Sequence, residues 1–168
     1  MLIIKYSRSM FSKMRCCASS ECKQWAALPL RLGLGSIFIY HGAQKLFGWF
    51  GGPGLDGVTG FFGNLGFAPA SVWAWLVALV EFFGGVFLVV GAFVPVSAAL
   101  IAVVMVVAMV KVHLPKGFSV GAGGYEFVMI NALAAISLAM LGAGPWSVDG
   151  VLASKKKNTA APVPPAGQ

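Results

Sequence analysis

Apolar residues in this chain gather into four stretches, approximately Leu28 to Phe47, Val72 to Gly91, Val96 to Val112 and Phe127 to Leu141. Each approaches the about 20 mostly apolar residues that a helix needs to cross a bilayer. The second and third would merge into one overlong run, but Gly91 to Pro95 interrupts it, and Pro95 denies a backbone donor to any continuing helix. A tight helical hairpin is expected there. Small residues punctuate the stretches, among them Gly35 and Gly42, Gly84 and Gly85, Ala98 and Ala102, and Ala134 and Ala135. Such residues let helices pack closely in lipid. The pattern predicts an all-α integral membrane protein, a four-helix transmembrane bundle. The connection from Gly48 to Ala70 is rich in glycine and phenylalanine, and its Val58 to Leu65 portion is a candidate short helix resting on the membrane.

Composition supports this reading. Of 168 residues, 58% are hydrophobic and only 10% charged, against about 25% charged in soluble domains. The formal net charge of +7 would suit nucleic acid if it were spread over a surface. Instead it sits mainly in two tails, at Lys5, Arg8, Lys13, Arg15 and Lys23 and at Lys155, Lys156 and Lys157. Nucleic acid is therefore excluded as a partner, and both tails are expected in the cytoplasm, because lysine and arginine flanking the spans set orientation. Three regions follow: a basic cytoplasmic tail over 1–27, the membrane domain over 28–150 and a disordered cytoplasmic tail over 151–168. The amino tail has no long apolar core of a signal peptide, so the first helix is expected to act as its own insertion signal. Cys16, Cys17 and Cys22 lie in that tail. A reducing compartment disfavours disulfides between them, and no histidine nearby completes a metal site.

Charges within the spans are the main clue to chemistry. One near a helix centre costs roughly 2.5 to 3.5 kcal/mol on insertion scales, so Arg31 and Glu81 require partners. Helical spacing puts Glu81 on one face with Gly84, Gly85 and Leu88, pointing inward. On the first helix Arg31, Gly35, Phe38, Gly42 and Lys45 form a stripe, with His41 one turn from Lys45. At about 1.5 Å per residue, His41 and Glu81 fall near the bilayer middle and Arg31 closer to the cytoplasmic side. Either basic group is placed to partner Glu81, and an Arg31–Glu81 pair is the expectation carried forward. At the outer surface Lys111 and His113 end the third helix where Tyr125 and Glu126 begin the fourth. Glu126 is expected to pair with Lys111 or Lys45, and Asn131 to bond across helices.

These groups have a bland interpretation, in which they neutralise one another and fix helix register. Their functional interpretation is a polar pocket for a small redox-active or anionic ligand, or a proton relay. A haem held by His41 and His113 is disfavoured by their different depths. Membrane disulfide exchange would need paired cysteines near a span. No Walker loop, dinucleotide fingerprint or hydrolase elbow is present.

Several segments together resemble the DoxX family of small four-helix proteins of bacterial inner membranes. They are Arg31 with HGAQKLFG, then LGFAP, EFFGGVFLVVG, VKVH, GGYEF and GAGPWSVDG, covering approximately Leu30 to Gly150. Arg31, Lys45, Glu81, His113 and Glu126 match the family's polar positions, whereas His41 comes from the residues alone, and the cysteine-bearing tail lies outside the resemblance. The resemblance implies a membrane subunit of a redox system, oxidising a small substrate, a sulfur-containing one among the candidates, with quinone as acceptor. Glu81, Glu126 and Arg31 are then the candidate catalytic residues. Lys45, His41, Lys111, His113 and Asn131 are candidate ligand contacts, with no metal and no covalently bound cofactor. The expected partners are the lipid bilayer and a redox protein, with self-association left open. A non-catalytic scaffold and a small-solute or proton pathway are the alternatives.

Overall fold

The computed structural model of the chain describes residues 20–159. They are helical with connecting turns: α1 (Ser20–Phe47), α2 (Gly54–Asn64), α3 (Ala70–Val90), α4 (Val94–Ala108), α5 (Glu126–Leu141) and α6 (Val148–Thr159). Beyond α4 the chain continues through a π-helical turn, Met109–His113, and a 3-10 turn, Leu114–Lys116. Two segments, Ala70–Val90 and Val94–Lys116, are long and apolar enough to cross a membrane, and Glu126–Leu141 is a shorter apolar helix. Their outward faces carry exposed apolar side chains such as Leu79, Phe83, Val103, Val107 and Ile130. Lipid accepts such a face and water does not.

Helices α1, α3, α4 and α5 touch in a closed ring, α1 on α3, α3 on α4, α4 on α5 and α5 on α1. Phe38, Leu88, Val94, Ile101 and Leu138 fill its interior. The tightest seam is α1 on α3, and glycines make it. A Cβ added to Gly85 would stand 2.8 Å from the Gly35 carbonyl oxygen and 2.7 Å from the Ile39 nitrogen. A Cβ added to Gly42 would likewise run into the backbone of Phe82. Backbone cannot yield as a flexible side chain can, so the two helix axes approach only because these positions lack a side chain.

The α3–α4 hairpin expected around Pro95 is present. Gly91 ends α3 in the left-handed region at φ 74°, and Pro95 sits in the first turn of α4. The exposed amides at the start of α4 are capped from far along the chain, because the Asp149 carboxylate accepts hydrogen bonds from Phe93 N–H and Val94 N–H, both at 2.9 Å. An acceptor with negative charge at a helix N-terminus satisfies orphan donors and complements the dipole. This contact joins the α3–α4 hairpin to the start of α6 at one end of the molecule.

Some boundaries differ from the hydropathy reading. Helix α1 begins at Ser20, ahead of Leu28, because its first turns are polar and carry no apolar signal. The short helix in the first connection exists as Gly54–Asn64, packed against α1 and α3 with Val58 buried. Residues 151–159, expected to be disordered, continue α6. Helical spacing of Val148, Val151 and Leu152, with Asp149 in the first turn and lysines toward the end, favours that helix over disorder. Cys16, Cys17 and the first part of the basic tail lie outside the described residues, as do residues 160–168.

The glycine seam makes a direct test. Gly85→Val should destabilise the protein by about 1–3 kcal/mol, read as a lower midpoint of thermal unfolding in detergent. Gly33→Ala, where an added Cβ meets nothing within 4 Å, should leave the midpoint unchanged or slightly raised.

Candidate functional site

The end of the molecule opposite the Asp149 cap contains a cavity of about 780 Å³. Helices α1, α3, α4 and α5 supply its walls, and α2 contributes Gly57, Val58, Phe61 and Phe62 from the first connection. Most of the lining is apolar. The polar groups facing it come from four elements: His41 and Lys45 on α1, Glu81 on α3, Lys111 and His113 on the π-helical turn, and Asn131 on α5.

Lys45 and Glu81 form an ion pair, with Nζ donating to Oε2 at 2.5 Å. The Glu81 side chain is 4% exposed and that of Lys45 26%. The carboxylate is thus buried on the glycine-rich face of α3 while its partner reaches it from the cavity side. This resolves the expectation for Glu81: its partner is Lys45, and the predicted Arg31–Glu81 pair does not form. Depth reckoning from Cα positions overlooked the long lysine stem, which lets an ammonium act well away from its own helical turn.

Arg31 does something different. The residue is 1% exposed, and its guanidinium lies at the far end of the α1–α3 seam. Nε donates to the Leu88 carbonyl at 2.9 Å, and Nη2 donates to Val89 at 3.1 Å and to Trp146 at 3.2 Å. Nη1 donates to Ala143 at 2.6 Å and Pro145 at 3.3 Å. These carbonyls belong to the last turn of α3 and the turn after α5, where helices leave acceptors unsatisfied. Asp149 stands near enough to act on the guanidinium electrostatically. Arg31 therefore clasps two helix ends, and its fork is fully used there.

Glu126 also leaves the site. Its Oε1 accepts from Val120 N–H at 2.5 Å, tying the second connection to the start of α5. Neither Lys111 nor Lys45 pairs with it among the described residues, contrary to the reading from sequence. A carboxylate at a helix N-terminus has backbone amides within reach and needs no cation.

The two cavity histidines are each held by one ring nitrogen. His41 Nδ1 lies 3.0 Å from Gln44 Oε1, one turn along α1. His113 Nδ1 lies 2.7 Å from the Gly123 carbonyl oxygen, which anchors the π-helical turn to the second connection. Asn131 is 5% exposed, and its Nδ2 is the buried side-chain polar atom without a hydrogen-bond partner among the described residues. The expected cross-helix bond of Asn131 is missing, leaving an amide whose burial costs about 1–3 kcal/mol unless something accepts from it.

The family model for DoxX matches residues 26–114. A Bacillus subtilis protein named Putative oxidoreductase CatD is 31% identical over 131 residues, 78% of this chain and 90% of that protein. The chain belongs to the DoxX family. No solved structure matches it.

Within this DoxX protein, the polar positions that carried the resemblance divide between the cavity and backbone contacts outside it. Lys45, Glu81 and His113 face the cavity, whereas Arg31 and Glu126 bind backbone elsewhere. The aromatic wall was not anticipated as part of the site. Phe61 and Phe62 in a glycine-rich connection, with Trp73 at the start of α3, were its signal in the sequence.

Two substitutions separate these roles. Lys45→Met should cost about 3–5 kcal/mol by leaving Glu81 buried without a cation, and adding Glu81→Leu should recover most of it. Denaturation of the single and double variants in detergent measures the recovery. Arg31→Met strands several carbonyls at once and should be destabilising whatever stands at position 81.

Proposed function

We propose that this DoxX protein crosses the bacterial inner membrane four times, with both termini in the cytoplasm, as the ligand-holding subunit of a redox system. The ring of α1, α3, α4 and α5 supports four spans, as do the apolar outer faces. The start of α1, the α3–α4 hairpin and the start of α6 lie at one end, held together through Arg31 and Asp149. In sequence the basic stretches adjoin the start of α1 and the last turns of α6, and lysine and arginine flanking the spans favour the cytoplasmic side. The cavity then opens toward the other face. The name of the Bacillus relative, which calls that protein an oxidoreductase, supports redox chemistry here.

The observation that carries the reading is the cavity itself: an apolar space of about 780 Å³ with a few converging polar groups, within the range usual for small-molecule sites. A quinone fits this donor set. Its flat ring suits the wall of Phe61, Phe62 and Trp73, and its carbonyl oxygens can accept from the unpartnered amide of Asn131 or the ammonium of Lys111. Bound quinone would supply two-electron, two-proton redox chemistry. The chain's residues would orient it and hold positive potential at the oxygen end, a role for Lys111, since the charge of Lys45 is met by Glu81. Arg31, expected to share that role, is spent on helix ends. Electrons are assigned to a redox partner or to a small substrate.

Chromatography of the organic extract of gently purified protein tests this. Wild type should carry stoichiometric quinone, and Asn131→Leu, which removes a buried donor while keeping shape, should retain about tenfold less. Wild type with no more quinone than an unrelated membrane protein purified alongside it would overturn the quinone assignment.

A further inference from the structure

We propose that His113 is a proton acceptor for the cavity's ligand, and that the ligand class is a weak organic acid bearing an O–H or S–H group, which is held as its anion. The inference rests on the cavity being a ligand site, as above, and does not require the ligand to be a quinone.

The tautomer of His113 carries the argument. A backbone carbonyl only accepts hydrogen bonds, so the 2.7 Å contact to Gly123 requires the proton of the neutral ring to sit on Nδ1. Nε2 is then an unprotonated lone pair, with no partner among the described residues, on a side chain that lines the cavity. This is how a fixed second partner prepares an imidazole as a base. His41 is less defined, since the amide of Gln44 can turn and present either end.

The two carboxylates considered for proton transfer are committed elsewhere. Glu81 is bound by Lys45, and Glu126 accepts from Val120 N–H. The π-helical turn brings Lys111 and His113 to the same cavity wall. Turns of this kind are frequent at functional sites. The other charged or titratable groups around His113 are His41, Lys45 and Glu81, which line the same cavity, and Lys116, Tyr125 and Glu126, which flank the second connection. With Lys45 and Glu81 cancelling, Lys111 leaves the wall near His113 positive.

The step balances simply. The ligand's O–H or S–H bond breaks, its electron pair stays on the ligand, and an N–H bond forms at Nε2. The resulting imidazolium keeps its Nδ1–H on Gly123, while Lys111 attracts the anion. Burial alone would favour the neutral acid, so an anionic bound state requires these two groups.

The experiment titrates wild-type protein in detergent with 4-cyanophenol and, separately, benzyl mercaptan, weaker acids than imidazolium whose ultraviolet absorption reports ionisation; the two arms distinguish a hydroxyl from a thiol ligand. At a pH above the ordinary imidazole pKa of about 6.5 and below the probe's own, the bound probe should be anionic, and calorimetry in buffers of different ionisation enthalpy should show no proton released, because His113 has taken it. His113→Gln, whose amide can still donate to Gly123, should bind the probe with its apparent pKa raised by about one unit, a tenfold loss of anion. No saturable binding of either probe, neutral bound probe, release of a full proton to buffer by wild type, or unchanged ionisation in His113→Gln would each overturn the proposal. Quinone absent from the extract alongside an ionised probe would refute only the quinone assignment.

Discussion

Charge buried away from water must be satisfied by groups inside the protein, and in this molecule that constraint organises both ends. At one end Arg31 spreads its guanidinium over carbonyls from the close of α3 and from the turn after α5. These acceptors would otherwise be stranded in a low-dielectric setting, where each unmade bond is costly. At the other end Glu81 receives only Lys45 among the described residues, and its partner stays half open to the cavity. The first arrangement is closed and saturated. The second retains a reachable cation beside an apolar space.

Glycine makes both arrangements feasible. Without Gly35, Gly42 and Gly85, α1 and α3 would stand further apart, and neither Arg31 nor Lys45 could reach its partners on α3. Gly91 serves the same end differently, since a Cβ there would meet the Arg31 guanidinium and Ser147. The small-residue seam is thus a condition for the polar contacts as much as a packing device.

Much of this was legible in the sequence, for identifiable reasons. Helix positions followed from apolar runs, and the α3–α4 hairpin from Gly91 and Pro95. The inward direction of Glu81 followed from its glycine neighbours, and the candidates His41, Lys45, Lys111, His113 and Asn131 all face the cavity. What stayed hidden depends on backbone acceptors and donors. Every residue carries a carbonyl, so no pattern could mark those of Leu88 or Ala143 as the partners of Arg31, nor Val120 N–H as the partner of Glu126. Charge pairing was the only rule available, and it paired Arg31 with Glu81 and Glu126 with a lysine. The π-helical turn was equally invisible, because its hydrogen-bond register has no signature in hydropathy.

The central claim is that the cavity end holds a small molecule while the Arg31 end only holds helices together. Native mass spectrometry of protein released from membranes into mild detergent tests this most directly, comparing wild type with a cavity-filling Val104→Trp variant. The account requires a bound non-lipid mass on wild type that is absent from the filled variant. Wild type free of any adduct, or an adduct equally present on both proteins, would contradict it.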